Sequence, residues 1–205
     1  EGEVLSSLPR LWATRKIGYL LNQVRLHGAD QEMIDQIVRL SIRYGIVTPY
    51  TSYLVTEPMP LGAEEQERIA QEQFNQIQGA PAAPSFGQDA VEKAAAEGDL
   101  AQAQGGAAVP DEAADQVRIV GPYTFVSDGE RWLDTRYDPE AMQAKPVQFL
   151  SQSYFDLLGA YPELGPALAL GHRLVVLADG QAFEIVSAET QVEPLELPTP
   201  TDPEI

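Results

Sequence analysis

The chain has 205 residues, 44% hydrophobic and 21% charged, a composition from which one good core or two small ones can be built. Its net charge of -18 comes from residues 57–205, which carry 7 Lys/Arg against 26 Asp/Glu, whereas residues 1–56 carry 6 against 5. A phosphate-binding surface needs clustered cations, so no nucleic acid partner is expected. The absence of cysteine removes disulfides, thiolate nucleophiles and Cys-ligated zinc, and no apolar run approaches the roughly 20 residues of a membrane-spanning helix.

The segment 1–57 reads as two helices running into a strand. Ala13, Ile17, Leu20, Leu21 and Val24 repeat on one helical face, and Leu8, Trp12, Tyr19 and Leu26 form a second apolar stripe on nearly the opposite side. A helix apolar on two sides is normally sandwiched between other elements. Gly28 suits its C-terminal stop, because glycine takes the left-handed conformation without a Cβ clash. Asp30 is placed to cap a second helix carrying Met33, Ile37, Leu40 and Tyr44, which Gly45 ends. Ile46 to Val55 is β-branched and aromatic, broken by Pro49, with a strand expected over Thr51–Val55. No nearby sequence offers that strand a neighbour.

Residues 58–115 shift to Ala, Gln, Glu, Gly and Pro and read as a flexible linker. Two stretches in it have helical propensity, Glu64–Gln78 with Ile69, Phe74 and Ile77 to bury, and Asp89–Gln104 with almost no apolar face. Residues 116–190 read as a small module with a strand at Gln116–Val120, a hairpin across Asp128-Gly129 and a second hairpin across Asp179-Gly180. Between the hairpins come a helix capped by Ser151 or Ser153 and a second one opened by Pro162 and closed at Gly171. Residues 191–205 form a Pro-rich tail. The expected class is α+β: an N-terminal helix pair plus strand, a linker, and two hairpins with intervening helices.

Common chemical signatures are missing. His27 and His172 stand far apart, with no metal-ligand spacing, and no nucleophile elbow, phosphate loop or dinucleotide fingerprint occurs. The two Asp-Gly pairs lack the ligand spacing of a calcium loop and read as turns. Asp134, Asp138 and Glu140 cluster after the first hairpin, where a solvated strand end competes with a weak cation site or with paired acids of a hydrolase. Trp12, Tyr19, Tyr44, Tyr50 and Tyr53 read either as core or as an aromatic recognition surface.

The opening stretch is also specific as a string. L-W-A-T-R-K-I, then R-L-H-G, then I-V-R-L-S-I-R-Y-G-I-V-T-P-Y-T-S-Y-L-V-T-E resembles the segment that closes and follows the von Willebrand factor A domain in VIT/VWA proteins, bacterial relatives of the inter-alpha-trypsin inhibitor heavy chains. Residues 123–187 are similar in style to tails on some bacterial members. The resemblance implies that this is the non-catalytic C-terminal portion of such a protein. It implies a secreted or cell-surface setting and a role in protein–protein interaction or adhesion. An upstream VIT/VWA polypeptide, preceding Glu1, would be the partner and would supply a sheet for Thr51–Val55. Trp12, Ile17, Leu20, Tyr44, Tyr50 and Tyr53 would be the docking surface for it. No cofactor is expected in this chain, because the divalent metal of the A domain belongs to D-x-S-x-S, which does not occur here. Rival readings are a cytoplasmic A-domain adaptor of an AAA+ ATPase and a structural surface-layer or filament subunit.

Overall fold

The computed structural model describes residues 2–51, 62–79 and 88–195. Within them the chain is α+β. Four helices, α1 (Gly2–His27), α2 (Gln31–Tyr44), α3 (Ala63–Gly79) and α4 (Gln88–Ala101), precede β1 (Val117–Val120), β2 (Tyr123–Ser127), β3 (Trp132–Asp134) and β4 (Lys145–Gln148). Then come α5 (Gln152–Ala160), a 3-10 turn at Pro162–Leu164, α6 (Gly165–Leu168), β5 (Leu174–Ala178) and β6 (Gln181–Val186). No described helix is long and apolar enough to cross a membrane.

The strands form one six-stranded sheet ordered β1-β2-β3-β5-β6-β4. Consecutive pairs β1/β2, β2/β3 and β5/β6 are antiparallel, while β3/β5 and β4/β6 are parallel. Both predicted hairpins form. Asp179 and Gly180 close the second with positive φ at both residues, the geometry that fits a two-residue turn to the right-handed twist of the strands. β4 was not anticipated: it is a short strand containing Pro146 at the edge of the described sheet, where it pairs with β6.

Side-chain alternation along the central strands fills two cores. Leu174, Val176, Phe183 and Ile185 face one side with Phe125, Val147, Leu157 and Leu168; Val175, Leu177, Ala182 and Val126 face the other. The first core lies under α5 and α6. The second is shared with the N-terminal helices through Ala13, Ile17, Leu20, Leu21, Ile34, Ile37, Val38 and Ile42. The sheet therefore lies between two helical layers, which is why β5 reads as the unbroken apolar run LVVLA.

α2 is fixed at both ends by local chemistry. The Asp30 carboxylate accepts the Met33 N–H at 3.0 Å, and Gly45, at φ +59°, sends its own N–H to Ile42 O while Ile46 N–H reaches Ser41 O. A Cβ at Gly45 would stand 2.6 Å from Val117 Cγ1, so this glycine also lets the end of α2 abut the sheet. The predicted strand start is corrected: Thr51 lies in a turn, its hydroxyl accepting Thr48 N–H at 3.0 Å and meeting Thr48 Oγ1 at 2.8 Å. The buried hydroxyls satisfy each other locally, which favours the turn over a ladder. Residues 52–55 of that expected strand lie outside the described residues.

Residues expected to act as a linker contribute α3 and α4 to the folded body, α3 along α2 and α4 along α1. Ile69 and Ala70 are buried in the shared core, with Phe74, Ile77 and Leu100 packed against it. Close approach replaces apolar bulk here. An added Cβ at Gly18 would lie 2.3 Å from the Ala101 backbone N, so α1 meets the end of α4 backbone to backbone. Thr14 Oγ1 accepts the Ala107 N–H at 3.0 Å, and Arg15 Nε donates to Ala103 O at 2.7 Å.

Candidate functional site

α1 carries the exposed feature that stands out from the rest of the surface. At 100° per residue, positions 8, 12, 15, 19, 22 and 26 fall within an arc of about 80° on the side opposite Ala13, Ile17 and Leu21. Four of these six are large and apolar, and they are open to solvent: Leu8 47%, Trp12 56%, Tyr19 53% and Leu26 56% exposed. Among the described residues the other exposed large apolar side chains are scattered: Val91 on α4, Ile119 on β1, Leu150 in the turn before α5 and Phe155 on α5. An open hollow of about 370 Å³ beside Trp12 is lined by Leu8, Leu11, Trp12, Arg15 and Lys16.

The predicted docking residues divide between the two sides of this helix and its neighbours. Trp12 is on the open face. Ile17 and Leu20 are corrected: they are buried on the inner face, in one core with Ile34, Ile37 and Val38 of α2. The core they were expected to seek elsewhere is supplied by this chain. Tyr44 and Tyr50 are half-buried and pack against that same core. Burial, followed by the nearby charge of Glu97, raises the Tyr50 phenol above its ordinary value. Tyr53 lies outside the described residues. Leu8, Tyr19 and Leu26 complete the open stripe, and the signal for them was the second apolar stripe in the sequence.

The cations of α1 have different situations. Arg10 is partly buried and donates from Nε and Nη2 to Ala107 O at 3.1 and 2.5 Å; burial pulls it down to about 10, so it remains charged at neutral pH. Arg25 pairs with the buried Glu97 at 3.0 Å and donates to Asn22 Oδ1 at 2.6 Å. Arg15 Nε donates to the Ala103 carbonyl, and Lys16 Nζ sits 5.5 Å from the Tyr19 ring centroid. Among the described residues neither Arg15 nor Lys16 is paired with a carboxylate.

The three acids after the first hairpin do not form one group, because Asp134 is set apart from Asp138 and Glu140. Asp134 is fully buried, not a solvated strand end, and its two oxygens are engaged by Arg136 Nε at 2.9 and 3.1 Å, Arg136 Nη2 at 2.5 Å and Leu177 N–H at 3.3 Å. Arg43 of α2 approaches to 3.9 Å, and Thr135 Oγ1 donates to Arg43 O at 2.8 Å, joining α2 to the sheet. Burial, then the charge of Arg136, pushes Arg43 below the ordinary arginine value. Burial also pulls on Arg136, but its bonds to Asp134 outweigh that and leave it raised. Asp138 is half-buried and accepts the N–H of Glu140 at 3.0 Å, and its Oδ1 and Glu140 Oε2 lie 3.5 and 3.6 Å from where a Cβ would stand on Gly62. A carboxylate so committed is a structural anchor, not a free general base.

Among the described residues no group of three or more His, Cys, Asp or Glu could hold a metal. His27 is exposed at the end of α1, and His172 packs near Phe149, ring centroids 5.9 Å apart. A second open hollow of about 530 Å³, beside Met142, Lys145 and Gln181, contains neither a carboxylate nor a histidine. No protein-family model, no curated protein and no solved structure matches this chain.

Proposed function

We propose that this chain is the non-catalytic C-terminal part of a VIT/VWA-type protein at the bacterial cell surface, and that it works by protein–protein interaction with α1 as its docking element. The observation that carries the reading is the line of Leu8, Trp12, Tyr19 and Leu26 along one open helix face. Aromatic side chains combine large contact area with a polar tip, and buried tryptophan and tyrosine dominate binding energy at interfaces. The opening string that resembles the segment after an A domain includes this helix, so the same residues point to an upstream VIT/VWA polypeptide as the surface they cover.

The test is the accessibility of Trp12. Replacing Trp132 by Phe leaves Trp12 as the sole tryptophan, and its emission and acrylamide quenching are compared for the chain alone and joined to the VIT/VWA polypeptide of its source. Docking predicts a blue shift and loss of quenching in the longer protein. Unchanged quenching would show that α1 covers nothing there.

A further inference from the structure

We infer that the open face of α1 is the seat of an acidic amphipathic helix of a partner polypeptide. The inference rests on the reading of α1 as a docking surface and adds what the occupant must look like. Two independent properties of the face specify it: the spacing of its apolar residues and the sign of its charge.

The spacing is helical. Leu8, Trp12, Arg15, Tyr19, Asn22 and Leu26 follow one another at intervals of four, three, four, three and four. This alternation is the seam by which two helices pack nearly parallel or antiparallel, each side chain entering a gap on the facing helix. Five turns separate Leu8 from Leu26, a contact line of about 27 Å at 1.5 Å per residue. A strand would bring side chains to one face at about twice its 3.3 Å rise, a repeat that does not match this one.

The charge selects the sign of the partner. Between Leu8 and His27 the sequence contains Arg10, Arg15, Lys16 and Arg25 and no Asp or Glu, in a protein whose net charge is -18. Arg10 and Arg25 are committed within the fold, whereas Arg15 and Lys16 stand beside Trp12 without a carboxylate among the described residues. They occupy the seam and its flank, where charges on facing helices set partner choice. A second copy of the same face would bring Arg15 and Lys16 against cations. The seam therefore fits a helix with apolar residues at three-four spacing and Asp or Glu beside them.

The probe is a peptide of about three heptads with leucine at the a and d positions and glutamate at e and g, with a lysine twin of the same length. Both are titrated into the full chain carrying Trp132→Phe, with Trp12 fluorescence as the readout. The glutamate peptide is expected to bind about tenfold or more tighter than its twin, a difference of about 1.4 kcal/mol or more, and to weaken as salt is raised. The chain as a whole attracts the lysine twin, so a preference for glutamate reads the local charge of this face. Arg15→Glu with Lys16→Glu is expected to reverse the order, and Tyr19→Glu to abolish binding of both peptides, each with an unchanged melting temperature.

Equal binding of the two peptides, a preference for lysine in the unaltered chain, or no binding of either overturns the inference. So does a concentration-dependent dimer that Tyr19→Glu dissolves, because the occupant is then a second copy. None of these results bears on whether Trp12 is covered in the longer polypeptide, so failure of the helical partner and failure of the docking reading are separable.

Discussion

Replacing Gly18 by Ala is expected to lower stability and to loosen α4, although the same change in an exposed helix interior raises it. Glycine costs about 1 kcal/mol relative to alanine within a helix, so the substitution alone favours the folded state by that amount. At Gly18 the new Cβ would lie 2.3 Å from Ala101 N and 2.7 Å from the carbonyl carbon of Leu100. Both are backbone atoms, so no side chain can rotate out of the way. Overpacking of this kind costs about 1–3 kcal/mol, and a backbone clash belongs at the upper end, leaving a net loss of about 1–2 kcal/mol. Relief requires α4 to move away, which strains the nearby bonds from Arg15 to Ala103 O and from Ala107 to Thr14. Urea unfolding measures the net change, and native-state hydrogen exchange compares amides of 98–107 with those of α2. A gain of about 1 kcal/mol with exchange unchanged at 98–107 would mean that α4 does not rest on α1 at this distance.

Asp134→Ala removes a fully buried carboxylate and leaves Arg136 and Arg43 facing each other, so urea unfolding should show a loss of about 3–5 kcal/mol. A loss below about 1 kcal/mol would mean that the pair is hydrated. Burial pushes the Asp128 carboxyl up, but bonds from the N–H groups of Glu130 and Arg131 and from the Arg131 guanidinium outweigh it and hold the pKa below the usual value. Its contribution is thus present above the unfolded carboxylate value of about 3.9 and lost as pH falls through the lower folded value. Asp128→Asn should therefore lower stability at pH 6 and reduce the fall in urea midpoint between pH 5 and pH 2; identical acid-side slopes would remove Asp128 from that loss. Ser151→Ala deletes the oxygen that accepts Tyr154 N–H at 3.3 Å, and a loss of about 1 kcal/mol in thermal unfolding is expected, against none if the cap is replaced by water.

What could be read from the sequence was local. Asp30 and Gly45 bound α2, Ser151 caps α5, and Asp179-Gly180 closes a hairpin because each acts on backbone groups within a few residues of itself. What could not be read depended on distant chain. β4 has four residues, includes Pro146 and owes its existence to parallel pairing with β6. α3 and α4 bury few large side chains, and a count of apolar residues cannot register that Gly18 admits the backbone of Ala101. Asp134 reads as a surface acid until Leu177 of β5 arrives beside it. Arg136, two positions along and bonded to it, was the available signal for a buried pair.

The same limit explains the mixed outcome on α1. Periodicity shows two apolar stripes on opposite sides of that helix but does not say which one the chain covers for itself. The difference lies in the side chains. The inner stripe is Ala13, Ile17, Leu20 and Leu21, aliphatic groups with no polar atom, which only a dry core satisfies. The outer one is half aromatic, and the phenol of Tyr19 and the indole N–H of Trp12 tolerate water in the free protein while presenting wide apolar area to a partner. Its flanking Arg15 and Lys16 would be costly to bury in a core without counter-charges, yet at an interface they select for acidic groups. An apolar, half-aromatic stripe bordered by cations without a carboxylate partner among the described residues is therefore better suited to an intermittent contact than to the interior, and its chemistry, rather than its period, marks it as the face left open.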